Sequence, residues 1–380
     1  MISWIYATPI FAFRVLPETS AANDAEPAPG PEDVEHLLSL DTMELEVGYG
    51  LIPLVDRDQD GSLLGRIRGI RRQFASEMGI IIPPIHIRDN LKLKPSGYRV
   101  VIKGVEVAQG ELMVNHLLAM DPGDAVQKVE GIPTKEPAFN LPAVWIPPDR
   151  EEEAKFSGYT VVDNSTVVAT HLTEVIREHS PELLGRQEVQ QLLDNLAKTN
   201  PKAVEELVPG LLLLGGVQKV LQNLLRERVS VRDLLSIVET LADYATMSRD
   251  PDLLTEYVRQ KLSRSIVTPH LQSGGILPVI KLDNKTEEVL SNAIRHTEQG
   301  SFLATDPGTV EALVGRINDE VRKCAQTNIQ PILLTSPPLR RHLRKLIEPV
   351  IPTVMVISHA EIVSNIRVQA IGKVAVRHDG

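Results

Sequence analysis

Apolar residues change their spacing along the chain, and each change predicts a different element. Residues 45–55 (LEVGYGLIPLV) read as a strand whose glycines permit bends. Residues 62–78 carry Leu63, Ile67, Ile70 and Phe74 at helical spacing, and Gly79 follows as a stop. IIPPIHI and YRVVIKGVEV are two β-rich runs. Residues 111–148 hold only short apolar runs broken by six prolines, which predicts a small β-containing insertion with many turns. Residues 151–156 begin a helix, GYTVVD is a strand, and 165–179 is a helix with Asn164 or Ser165 as its N-cap. The first α/β module therefore resumes after the insertion.

From 186 to 266 helical spacing dominates: VQQLLDNLA, VEELVPGLLLLGGVQKVLQNLLRER, VRDLLSIVETLADYA and LLTEYVRQKLSRSIV. Asn200-Pro201, Ser230 and Asp250-Pro251 separate these stretches. The remainder alternates again. ILPVIKL, PILLTS, TVMVIS and IRVQAIGKVAV read as strands; TEEVLSNAIRH, TVEALVGRINDEVRKCAQ and LRRHLRKLIEP read as helices. The expected organisation is α/β multidomain. It comprises an amino-terminal segment (1–44), a first α/β domain (45–114 plus 164–183), a small inserted domain (115–163), a helical domain (184–263) and a C-terminal α/β domain (264–380).

The amino-terminal segment has two parts. Residues 1–13 (MISWIYATPIFAF) are uncharged and apolar but fall short of the ~20 residues that span a bilayer. They read as a secretory signal lacking a positive n-region, or as the stub of a transmembrane helix. Residues 17–33 (PETSAANDAEPAPGPED) hold almost nothing to bury, which predicts a flexible acidic linker.

Charge narrows the function. The net charge of -10 points away from nucleic acid. Two basic runs (Arg66, Arg68, Arg71, Arg72; and Arg340, Arg341, Arg344, Lys345) sit at helical spacing and are expected on solvated helix faces. A single cysteine, Cys324, excludes an internal disulfide and is expected to be a buried thiol.

Catalytic motifs are missing. No P-loop, complete G-x-G-x-x-G or G-x-S-x-G occurs. Asp163, Ser165 and His171 lie close in sequence and leave a serine hydrolase as an alternative of another class, with helix capping as the simpler account. His171, Glu174 and Glu178 share a helix face, for which charge pairing is simpler than metal binding. The expectation is no catalytic residue, no metal and no cofactor.

LEVGYGLIPLVD (45–56), HIRDN (86–90), GYTVVDNSTVVATHL (158–172), GRQEVQQLLD (185–194) and LVPGLLLLGGVQKVLQNLLRERVSVRDLLSIVETLADYA (207–245) closely resemble the C-terminal cytoplasmic part of the FHIPEP family's flagellar export-gate proteins. The resemblance runs from about 44 to 376. It implies a thioredoxin-like first domain with a ferredoxin-like insertion, a helical third domain and an α/β fourth domain. It also implies a nine-membered ring at the cytoplasmic face of the bacterial inner membrane, a linker that contacts the neighbouring subunit, and other export-apparatus proteins as partners. Export chaperones with bound substrates would dock at a dimple between the first two domains. The family's acidic–Pro-Ala-Phe motif stands here as Glu136-Pro137-Ala138-Phe139, with Glu in place of the commoner Asp. Glu136 would be the acidic member, Phe139 the apolar anchor, Val162 the wall and Thr170 the floor. Without the resemblance, Phe139 reads as core of a Pro-rich insertion and Glu136 as a solvated charge. The gate protein of a virulence injectisome, which shares the fold, is the alternative within the family.

Overall fold

Met43, Leu45 and Val47 alternate with half-buried residues and bury one face of the first strand, β1 (Met43–Val47). In the computed structural model, which describes residues 40–376 apart from 57–61, 124, 126, 298–299 and 328, this strand is shorter than expected. It stops because the chain must press against the Lys94–Pro95 turn: the Gly50 amide donates to the Pro95 carbonyl at 2.9 Å. A Cβ on Gly48 would lie 2.1 Å from the Lys94 carbonyl oxygen. The chain then coils into a short helix, α1 (Ile52–Val55), where a continued strand was expected. The expected stub and linker lie outside the described residues.

β1 pairs in parallel with β2 (His86–Asp89) and antiparallel with β3 (Gly97–Ile102), which pairs with β4 (Val105–Glu111). YRVVIKGVEV is thus a hairpin, turned through Lys103 and Gly104, both at positive φ (49° and 79°). Helix α2 (Ser62–Glu77) buries the four residues its spacing singled out, and its exposed arginines 66, 68 and 72 bear out the solvated-face expectation for the first basic run.

A second sheet is wholly antiparallel in the order β6–β7–β5–β8, with β5 (Leu117–Met120), β6 (Ile132–Lys135), β7 (Pro142–Ile146) and β8 (Thr160–Val162). Helix α3 (Glu151–Phe156) buries Ala154 against Ala119 and Ile146 of this sheet. Helix α4 (Asn164–Leu183) follows β8 directly and packs on α2.

Six helices come next: α5 (Arg186–Ala197), α6 (Pro201–Glu206), α7 (Leu214–Arg226), α8 (Leu234–Ala245), α9 (Pro251–Lys261) and α10 (Ser263–Val267). Pro209 and Gly210 divide the long stretch from VEELV to LLRER into α6 and α7. The last sheet is parallel, ordered β13–β12–β9–β14, from β9 (Ile276–Leu282), β12 (Ile332–Thr335), β13 (Met355–Ser358) and β14 (Arg367–Val374). Its central strands are apolar on both faces, as a sheet covered on both sides requires. Leu277, Val279 and Leu334 join the core shared with the helical segment, whereas Leu333 and Val356 face α12 (Pro307–Gln326) and α13 (Pro337–Ile347) in a second core that includes Cys324. Helix α11 (Asn284–Asn292) ends before Ile294, so the carboxyl end of the predicted TEEVLSNAIRH helix is instead strand β10 (Ile294–Thr297), paired with β11 (Gly300–Leu303).

The second basic run departs from expectation. Arg340 is 1% exposed because α13 lays it against Glu227 and Glu256 of the helical segment, and Arg344 is buried with its guanidinium on the Val354 carbonyl, whereas Lys345 stays exposed. Among the described residues, no helix is long and apolar enough to cross a membrane.

Candidate functional site

The β6–β7 turn carries the Glu-Pro-Ala-Phe motif, and Glu136 organises it. Its amide donates to the Leu141 carbonyl at 2.8 Å, and its own carbonyl accepts from the Asn140 amide at 2.9 Å, closing the loop. Asn140 takes φ 58°, a left-handed conformation that asparagine tolerates better than most residues. Pro137 has no N–H to satisfy. The next two amides point back at the acid: Ala138 donates to Glu136 Oε1 at 2.8 Å and Phe139 to Oε2 at 2.7 Å. This is the hydrogen-bond pattern of a helix N-cap, one acid serving amides two and three residues on.

Burial runs opposite to the reading made from the residues alone. Glu136 is 3% exposed and Phe139 is 55% exposed. Phe139 is therefore not core, and Glu136 is not a solvated charge. Ile132 and Leu141, on the same hairpin, are also about half exposed, so the tip presents apolar surface in company.

Behind Glu136 lies a buried pair from the first sheet and α4. The Tyr98 hydroxyl is hydrogen-bonded to His171 Nδ1 at 2.9 Å, with the rings edge-on at 74°. Burial raises the Tyr98 pKa, and the Glu136 charge adds to it. Burial lowers that of His171, with Glu136 opposing. At neutral pH the pair is a protonated phenol and a neutral imidazole. The Glu136 charge thus acts on one residue of β3 and one of α4. Thr170 and Val162 are each half-buried; Val162 pairs with Leu118 at the end of β8, one residue before α4 is capped. Sequence reasoning missed Tyr98 as the seat of this arrangement. An acid followed by two available amides at the third and fourth positions was the signal for the capped turn.

The hydrolase grouping is not assembled. Asp163, not Asn164 or Ser165, caps α4, accepting from the Thr166 amide at 2.7 Å. Ser165 Oγ donates to Asp163 Oδ2 at 3.0 Å and accepts from Arg66 Nε at 3.0 Å. Ser165 and His171 sit six residues apart on one helix, about 9 Å along its axis, and His171 is committed to Tyr98. Glu174 is paired with Arg177 and Arg228. Among the described residues, no group of three His, Cys, Asp or Glu is placed to hold a metal ion.

Known proteins are similar to this chain in sequence and in fold. A model described as the FHIPEP family matches residues 13–367. The chain is 46% identical over 344 residues to the flagellar biosynthesis protein FlhA of Bacillus subtilis, covering 90% of this chain and 51% of that protein. The chain spans about half the length of the curated relatives it matches. Chlamydia pneumoniae CdsV, solved alone and in complex with CdsO, superposes with TM-scores of 0.81 and 0.78 at 29% identity. Those matches cover 90% and 88% of this chain, and 100% and 98% of the other. The nonameric EPEC SctV-C structure matches at TM-score 0.73 and 25% identity, covering 89% of this chain and 99% of that one.

Proposed function

The chain belongs to the FHIPEP family, and from that premise we propose that it is the docking platform of a flagellar type III export gate. Export-gate proteins of this family are non-enzymatic components of secretion systems. The platform holds chaperone–substrate complexes and passes the substrates to the export channel at the cytoplasmic face of the inner membrane. The observation that carries the reading is Phe139. It is a large apolar side chain, 55% exposed, at the tip of a loop fixed by four hydrogen bonds to Glu136. Aromatic anchors on pre-ordered loops are the usual centre of binding energy at protein interfaces. The dock we assign comprises Phe139 as its anchor, together with Glu136, Val162 and Thr170.

The division into a thioredoxin-like domain, a ferredoxin-like insertion, a helical domain and an α/β domain, at the boundaries given above, is part of this reading. So is assembly into a nine-membered ring, supported by the nonameric SctV-C. A further secretion protein as partner is supported by the CdsV–CdsO complex. Nine docks on one ring raise avidity without new contacts. The injectisome alternative is less supported: identity is 46% to the flagellar relative against 29% to CdsV. The test is calorimetric titration with cognate flagellar chaperone–substrate complexes. Saturable binding supports the reading, and no binding to any of them overturns it.

A further inference from the structure

We infer that Glu136 serves docking as a positioning residue that holds Phe139 in place, and not as a contact for the partner. The inference rests on the docking reading above and concerns how that dock is built. An acid beside an exposed aromatic invites the opposite view, in which carboxylate and ring both touch what binds. The geometry separates their roles.

Only 3% of Glu136 is reachable from solvent, against 55% of Phe139. Both carboxylate oxygens are already engaged, one by the Ala138 amide and the other by the Phe139 amide. Hydrogen bonds to an ionised acceptor are stronger than neutral ones, so these two fix the backbone on which the Phe139 side chain is mounted. The Glu136 backbone closes the same loop from both sides, through Leu141 and Asn140. Tyr98 and His171 lie behind and are occupied with each other. A partner group reaching for the carboxylate would have to enter a buried position and compete with the amides that shape the loop. A partner packing on Phe139 displaces nothing but water.

The roles are separable by a double-mutant cycle, because a residue acting only through Phe139 loses its effect once Phe139 is gone. The cycle uses the whole chain, with affinity for a cognate chaperone–substrate complex and hydrogen exchange at the Ala138 and Phe139 amides as readouts. Phe139→Ala is expected to weaken binding at least about tenfold. Glu136→Ala should weaken it by no more than that, and the double variant should match Phe139→Ala within about twofold. Exchange at both amides should accelerate in Glu136→Ala. Glu136→Asp, which keeps an acceptor for amides two and three residues on, should restore binding and protection. Glu136→Gln, nearly isosteric, keeps one acceptor oxygen but sets a donor against the other amide, so it should lose protection and binding together.

Three outcomes overturn the inference. One is losses that multiply in the double variant. Another is a Glu136→Gln variant that loses binding with its amides still protected, and the third is a Glu136→Ala variant whose amides exchange as slowly as the parent's. If Phe139→Ala binds as the parent does, the docking reading itself fails, a result distinct from all three.

Discussion

Arg340 grips Glu227 with both terminal guanidinium nitrogens: Nη1 donates at 2.6 Å and Nη2 at 3.0 Å across 113 residues of sequence. The same arginine donates through Nε to Glu256 at 2.6 Å. Beside it, Arg259 donates to Glu361 at 2.6 Å, and both of those residues are 1% exposed. This cluster joins α13 and the end of the parallel sheet to α7 and α9. Such a pair adds little over apolar packing, but removing one member strands a buried charge. Arg340→Ala should therefore cost about 3–5 kcal/mol, read as a shift in denaturant midpoint. A loss below about 1 kcal/mol would mean water relieves the acids.

Acid should act on the same cluster. Burial disfavours ionised Glu227, but Arg340 and Arg259 outweigh it and draw the carboxyl from 4.5 down to about 2. A depressed folded pKa gives stability that is complete above 4.5 and is lost as pH falls toward 2. Stability of the parent should decline across that window. Glu227→Gln, already without the charge, should be less stable at neutral pH and show a shallower decline, measured by urea unfolding at several pH values.

Gly79 ends α2 at φ 74°, its amide returning to the Phe74 carbonyl at 3.1 Å. A Cβ there would lie 2.4 Å from the backbone of Arg232. The neighbouring Met78 carbonyl accepts from the Val231 amide at 2.9 Å, so this close approach is where the first segment meets the helical one. Gly79→Ala should destabilise by more than about 1 kcal/mol, through strain and separation together. An unchanged melting temperature would contradict it.

The α4 cap gives a smaller effect. Asp163→Ala removes the acceptor for the Thr166 amide and for Ser165 Oγ, and should cost about 1 kcal/mol. Asp163→Asn should recover most of it. Neither change is expected to alter reactivity of Ser165 toward fluorophosphonates, which should stay at background.

Elements whose signal lies within themselves were legible. The spacing of Leu63, Ile67, Ile70 and Phe74 named the buried face of α2, and Cys324 is buried as expected. What depended on distant partners was not. β1 ends at Val47 because of Lys94 and Pro95, about 45 residues on. Arg340 is indistinguishable by periodicity from the exposed Arg68, since its acids lie on other helices. The motif itself was legible through family resemblance, but its burial was inverted when judged from the residues alone. Phe139 was assigned to the core for its apolarity, though a two-stranded turn at a sheet edge leaves its tip in solvent. Glu136 was assigned to the surface for its charge, though two backbone amides make that charge tolerable inside.

The most direct test of the docking account compares parent and Phe139→Ala in calorimetric titration with a cognate flagellar chaperone–substrate complex. Because Phe139 is 55% exposed, the variant should fold and melt as the parent does while binding at least about tenfold more weakly. Equal affinity of the two, in equally folded proteins, would contradict it and remove the dock from this loop.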